Sequence, residues 1–435
     1  MSGLPEGWAV LPVSQVFTSI GSSKKKIKTK DAALVGSFPV IDQGARDVAG
    51  YSDDKSLLVS ASQASPVILF GDHTRALKFV TCDFVPGADG TKLLQAGPML
   101  NNRYAFHALR AIELPEKGYA RHYQYLYNAD LPIPPLSEQT RIADKLDTLL
   151  ARVDAARERL DHVPTLLKRF RQSVLAAATS GELTEEWRGG KNADWREADV
   201  QFVAQVGTGS TPLRANKTFY AEQGTPWITS AATSERFVVG AEEFVTSDAI
   251  KAHRLKVYPA GTLLVAMYGE GKTRGQVTEL AIPATINQAC AAIQVDEGKA
   301  DRRYVRFVLE ANYYAMRELA EGGNQPNLNL TKVKEFPILI PSLDEQGEII
   351  RRAEALFALA DRVQAQYERA RTRVDKFTPS LLAKAFRGEL VPQNPNDEPA
   401  SVLLERLRAS KGSGPKPVKQ DRKSSATVRK ARKAS

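Results

Sequence analysis

Two stretches of the chain, Ile133 to Leu183 and Ile340 to Leu390, align without a gap at a constant offset of 207 positions. Identical pairs include Pro134/Pro341, Glu138/Glu345, Gln139/Gln346, Leu149/Leu356, Asp154/Asp361, Phe170/Phe377, Leu175/Leu382 and the terminal Gly181-Glu182-Leu183/Gly388-Glu389-Leu390. A repeat this long belongs to a duplicated domain plan; stacked solenoids repeat at about 20–50 residues. The chain is expected to fold as two comparable halves.

Both stretches carry an apolar residue every third and fourth position. In the first these are Leu146, Leu149, Val153, Ala156, Leu160, Val163, Leu167, Phe170, Val174 and Ala177; in the second, Leu356, Ala360, Val363, Tyr367, Ala370, Val374, Phe377 and Leu381. That spacing is a coiled-coil seam. The first helix leaves the first domain and ends at the second, and the second helix leaves the second domain, so pairing within one chain requires an antiparallel coil. Ser137 and Asp344 stand where N-caps are needed. Gly181 and Gly388 stand where a left-handed exit is needed. Pro164 and Pro379 each delete a helical hydrogen bond and are expected to kink or break their helices, with Thr378-Pro379 reading as a fresh start. A helix of about 44 residues spans roughly 66 Å, close to twenty base pairs of duplex at about 3.4 Å each.

The sequence therefore divides into a first variable domain over residues 1–132, a helical region over 133–187, a second variable domain over 188–339, a second helical region over 340–395, a short C-terminal helix over 396–410, and a basic tail over 411–435 expected to be disordered. Of the net charge of +10, the tail holds nine Lys/Arg against one acid, leaving about +2 for the body. Basicity is a property of the tail, and any nucleic-acid argument has to rest on individual residues. Cys82 and Cys290 are the only cysteines, without Cys-x-x-Cys spacing, so neither a disulfide framework nor a zinc site is indicated. No run reaches the roughly 20 apolar residues of a membrane span, and the N-terminus lacks a signal-peptide pattern, so a cytoplasmic location is expected.

Several polar clusters are candidates for contact with DNA. Lys24, Lys25, Lys26 and Lys28 form a lysine track suited to phosphates, although a solvated loop explains the charge equally well. The strand-like Ser65 to Phe70 runs into Gly71-Asp72-His73-Thr74-Arg75, where Arg75 could make a two-pronged contact to guanine or phosphate. The plainer alternative is a turn bonded to its own backbone. In the second domain Thr262 to Tyr268 runs into Gly269-Glu270-Gly271-Lys272-Thr273-Arg274, the same plan with one residue added. Arg214 and Lys217 supply further charge, and Arg303-Tyr304 matches Arg103-Tyr104. Ala266 to Thr273 satisfies a loose phosphate-loop pattern, but the following Gln276 to Pro283 reads as a strand where a helix is required, and the first domain's loop has no Gly-Lys-Thr. No nucleophile pattern, metal spacing or methyltransferase motif accompanies these clusters, so catalysis is not indicated.

In order and spacing, Leu4-Pro5-Glu6-Gly7-Trp8, Phe70 to Arg75 with Val85 to Thr91, Pro134 to Gln139, Lys168 to Leu175, Ser180 to Thr184, and Pro392 to Pro399 with Leu403-Leu404 resemble the DNA-specificity subunits of type I restriction-modification systems. The resemblance implies an α+β fold: two α/β target-recognition domains separated by two long helices in an antiparallel coiled coil, with a pseudo-twofold internal repeat. It implies a non-catalytic subunit that reads a bipartite site in double-stranded DNA, one half per domain. The partners implied are two methyltransferase (modification) subunits and two restriction/translocase subunits, which would hold AdoMet, ATP and Mg while this chain binds no cofactor. The basic tail is outside the resemblance. The alternatives from other classes are a structural coiled-coil adaptor without DNA recognition, and a self-sufficient methyltransferase or nuclease.

Overall fold

The computed structural model describes residues 3–21, 26–88, 90–116, 121–269, 272–320 and 327–412. The chain forms two compact units, Met1–Glu158 with Arg371–Ser435, and Arg159–Ala370. The basic tail beyond residue 412 lies outside the described residues.

In the first unit, Ala9–Pro12 pairs antiparallel with Asp130–Ile133, bringing the two ends of the variable region together. The main sheet is four-stranded in the order Phe17–Ile20, Thr91–Ala96, Val67–Gly71, Leu77–Val80. Val67–Gly71 is buried along its whole length, which explains why its sequence is an unbroken apolar run. A smaller sheet orders Gly50–Ser52, Phe38–Ile41 and Val85–Pro86, the last two parallel. Helix Asn102–Ala111 starts on an Asn101 side chain that accepts from the Arg103 and Tyr104 N–H groups, and it buries Tyr104, Ala105, Ala108 and Leu109 on one face. These side chains join Ile68, Phe70 and Leu94 of the sheet and Ile142, Leu146, Leu150, Leu382 and Ala385 of the long helices in one core.

The second unit repeats the plan. Arg196–Asp199 pairs antiparallel with Pro337–Ile340. The main sheet runs Ala204–Thr208, Cys290–Val295, Leu263–Ala266, Val277–Leu280, Phe237–Val238, and the smaller sheet again joins a parallel pair, Thr225–Ile228 with Thr285–Ile286. Helix Arg302–Ala311, capped by Asp301, buries Tyr304, Val305, Val308 and Leu309. The Tyr104 hydroxyl donates to the Pro132 carbonyl at 2.7 Å, and Tyr304 donates to Leu339 at 2.8 Å. The duplicated Arg-Tyr pair is thus a structural tie in both units.

The long helices are Leu136–Ser180 and Leu343–Phe386. They run antiparallel within each unit: Arg157 meets Asp375 at 3.4 Å in the first, and Arg171 meets Asp361 at 2.7 Å in the second. The expected break occurs at neither proline. The helices are continuous through Pro164 and Pro379, and Thr378 does not begin a new one; its hydroxyl accepts from Arg157 instead. The seam also shifts there. Phe377 is 51 % exposed, and the buried positions that follow Val374 are Leu382 and Ala385. Each helix starts one residue earlier than its expected cap, and Ser342 rather than Asp344 accepts from a first-turn N–H, that of Glu345. Gly181 and Gly388 do leave their helices left-handed, at φ +87° and +78°.

A buried carboxylate fastens each helix start to the unit it serves. Glu138 accepts from Trp8 Nε1 at 3.0 Å and Gln393 Nε2 at 2.8 Å. Glu345 accepts from Trp195 Nε1 at 3.1 Å, Thr184 Oγ1 at 2.7 Å and the Arg188 guanidinium. Gln139 and Gln346, adjacent to them, each accept the N–H of the residue that caps a domain helix, Asn101 of Asn102–Ala111 or Asp301 of Arg302–Ala311, at 2.7 Å. The Glu-Gln dipeptide is therefore the joint between helix and domain.

Candidate nucleic-acid interface

The two loops paired by sequence occupy equivalent places in the fold. Residues 72–76 connect the antiparallel strands Val67–Gly71 and Leu77–Val80. Residues 267–276 connect the antiparallel strands Leu263–Ala266 and Val277–Leu280. The segment after Lys272-Thr273 is a strand, which removes the geometry a phosphate loop needs.

Within the first loop the four named residues divide sharply. Asp72 is buried: its carboxylate accepts from the Tyr123 N–H at 2.7 Å, its carbonyl accepts from the His122 N–H at 2.9 Å, and its own N–H donates to Gly90. Asp72 is a structural anchor. The His73 N–H donates to Gln43 Oε1 at 3.2 Å, and the Thr74 hydroxyl donates to the Gln43 carbonyl at 2.8 Å. Arg75, beside the exposed Thr74, projects at φ +62°, with its side chain 43 % exposed and Glu116 3.9 Å away. A pair this exposed and this long contributes at most about 1 kcal/mol, so Arg75 can exchange Glu116 for a phosphate or a base edge at little cost.

Lys26, from the lysine track, reaches the same end of the sheet. Lys26 is spent on structure, donating to the Thr91 carbonyl at 2.8 Å and hydroxyl at 2.9 Å, while Lys28 is exposed. Lys24 and Lys25 lie outside the described residues, as does Glu270 in the second loop. Behind the track, Thr29 Oγ1 donates to Asp42 Oδ2 at 2.6 Å, and Lys78 stands 3.8 Å from Asp42. Burial pushes the Asp42 carboxyl up, but the Thr29 and Gly44 hydrogen bonds and the Lys78 ammonium more than offset it, and the group titrates below the ordinary range.

In the second loop Lys272 is exposed, and Thr273 and Arg274 are half-buried. The loop backbone is held from behind: the Lys272 carbonyl accepts from Tyr313 Oη at 2.7 Å, and the Arg274 carbonyl accepts from Arg317 Nη1 at 2.7 Å. A cavity of about 620 Å³ opens beside it, with Lys168, Arg236 and Lys272 among its exposed lining. Arg214 is less available than its sequence position suggests. It is paired with both Glu243 oxygens and lies 4.8 Å from the Tyr220 ring and 4.7 Å from the Trp227 ring. Lys217 is exposed at a short 3-10 turn. Sequence reasoning missed Gln43, Tyr313 and Arg317, which touch the loops from distant segments and carry no local motif.

Among the described residues no cluster of His, Cys, Asp and Glu could hold a metal ion. What the arrangement offers, among the described residues, is an exposed Arg75 on the first loop and an exposed Lys272 with a half-buried Arg274 on the second. Comparison with known proteins decides what kind of chain carries them. The family model for the type I restriction modification DNA specificity domain matches residues 192–368. The EcoDI type I restriction enzyme specificity subunit of Escherichia coli is 30 % identical over 81 % of this chain and 86 % of its own length. The chain belongs to that family. A second type I specificity subunit, StySPI of Salmonella potsdam, is 29 % identical over 94 % of this chain and 96 % of its own. As a specificity subunit the chain is a non-catalytic member of a type I restriction enzyme.

Solved structures give the same fold. The HsdS subunit from Thermoanaerobacter tengcongensis superposes with a TM-score of 0.55 at 18 % identity, covering 89 % of this chain and 98 % of that one. A chain from a study of complex assembly and conformational transition of the type I R-M system gives 0.64 at 16 %, covering 89 % and 100 %. The fold class of this specificity subunit is therefore the α+β arrangement with long paired helices that the resemblance implied. No helix among the described residues is long and apolar enough to cross a membrane.

Proposed function

We propose that this specificity subunit reads a bipartite site in double-stranded DNA, with the domain at residues 1–132 contacting one half through the Arg75 hairpin and the domain at 188–339 contacting the other through the Arg274 hairpin. The observation that carries the reading is the equivalence of the two loops: each turns between the same pair of antiparallel strands in its own unit, and each carries an arginine shortly before its second strand. Arginine suits the task because its planar fork matches guanine O6/N7 or a phosphate with two parallel hydrogen bonds. Lys28, Lys217, Lys272, Lys168 and Arg236 are exposed and would meet phosphates, fixing register without reading sequence.

The chemistry would lie with the partners: two methyltransferase subunits docked on the long helices and two restriction/translocase subunits, carrying AdoMet, ATP and Mg. Both helices leave charged residues outside the seam exposed, which gives such partners a polar surface to dock on. The test is methylation by the assembled enzyme carrying Arg75→Ala or Arg274→Ala. The expected result is relaxation or loss at one half-site per variant. Equal loss at both halves, or no change at either, overturns the assignment.

A further inference from the structure

Each hairpin is gripped by side chains from elsewhere in its own unit, and the grips differ. In the first, Gln43 follows the strand Phe38–Ile41 and touches the hairpin at several points: its Oε1 accepts from the His73 N–H at 3.2 Å and its carbonyl accepts from the Thr74 hydroxyl at 2.8 Å. Two glycines make that approach possible. A Cβ on Gly71 would stand 2.7 Å from Gln43 Cβ, and one on Gly90 would stand 3.0 Å from Gln43 Nε2. In the second unit the loop carbonyls are the handles. Tyr313, in the short helix Tyr313–Glu318, donates to Lys272, and Arg317, one turn on, donates to Arg274.

In both cases these bonds fall on the residues flanking the arginine, or on its own carbonyl, and none of them uses its guanidinium head. A base contact discriminates only when donor and acceptor are aligned within a narrow geometry, so the backbone that carries the arginine has to be fixed before DNA arrives. We propose that Gln43, and separately Tyr313 with Arg317, are positioning residues that set the sequence specificity of one half-site each by holding the hairpin backbone. The proposal rests on the reading of the two hairpins given above. It adds that the two halves are tuned by unrelated side chains and can therefore be altered independently.

The experiment is a methylation profile of total DNA from cells expressing the full chain with its methyltransferase subunits, for Gln43→Ala, Thr74→Val, Tyr313→Phe and Arg317→Ala, with Arg75→Ala and Arg274→Ala alongside. Tyr313→Phe keeps the ring and Thr74→Val keeps the volume, so both keep the fold where a larger truncation does not. Expected is a loss of about tenfold in discrimination, the order of one misaligned base contact. It falls on the first half-site for Gln43→Ala and Thr74→Val and on the second for Tyr313→Phe and Arg317→Ala, while the other half stays intact. If the two arginine variants each relax one half but the four supporting variants leave the motif unchanged, the positioning proposal fails alone. If the arginine variants move neither half, the hairpin reading fails with it. A uniform fall in methylation at both halves marks a general folding defect and also overturns the proposal.

Discussion

At the scale of single residues, buried carboxylates distinguish the two units. Trp8 and Gln393 are the two side chains that hydrogen-bond Glu138, whereas Glu345 keeps Thr184 and Arg188 when the Trp195 indole N–H is removed. Each indole donates to the Oε2 of its carboxylate, so either Trp→Phe substitution bares one oxygen at about 1–3 kcal/mol. Because Glu345 keeps the charged Arg188 on its other oxygen where Glu138 keeps the neutral Gln393 amide, Trp8→Phe should be the more destabilising of the two in chemical denaturation. Asp42 provides a pH test. Its folded-state pKa lies below the ordinary value of 3.8, so its contribution to stability is fully present above that value and is lost as pH falls through the depressed one. The advantage of the native protein over Asp42→Asn should be constant from pH 7 to about 5 and shrink below about 4. A growing advantage in acid would contradict the Thr29 and Lys78 contacts as its cause.

At the scale of elements, the helix exits are the sharpest test. Gly181 and Gly388 are both left-handed, which costs a non-glycine residue about 1–2 kcal/mol. At Gly388 an added Cβ would also stand 2.3 Å from Pro5 Cγ, whereas at Gly181 the nearest atom is Ala193 Cβ at 3.0 Å. Gly388→Ala should lower the melting temperature more than Gly181→Ala; the reverse order would show that Pro5 moves freely. These exits and most of the seam up to Val374 were legible in the sequence because the duplication wrote each of them twice, although Val363 on that seam is 37 % exposed and the repeated Glu-Gln pair showed only as an identity, not as a joint. Phe377 was not legible, because the heptad period continues past it while the buried face turns toward Leu382 and Ala385. At Pro379 the expected break was wrong: a proline predicts a missing hydrogen bond, but one lost bond does not interrupt the helix Leu343–Phe386.

At the scale of the whole molecule, the sequence announced two halves and a family, and it placed the two hairpins correctly as a matched pair. It did not show which loop residues face inward. Asp72 and Arg75 look alike as polar loop residues, and only the distant Tyr123, His122 and Gly90 reveal that Asp72 is an internal anchor. The same holds for Arg214, whose stacking partners lie at positions 220 and 227 with Glu243 beyond them. The charge division predicts the role of the tail. Removing residues 413–435 takes away eight Lys/Arg but neither hairpin. Sequence selectivity should survive, while DNA affinity should fall and its dependence on salt become shallower, by up to about 0.9 in slope for each phosphate that the tail no longer neutralises. Selectivity that disappears with the tail would move recognition away from the two units.

The central claim, that each unit reads one half of a split site, is tested most directly by profiling the methylated motif of DNA exposed to the assembled enzyme, native and with Arg75→Ala. The account predicts a motif in two parts separated by unread bases, with the substitution relaxing one part and sparing the other. A single uninterrupted motif, or one whose two parts weaken together, would contradict it.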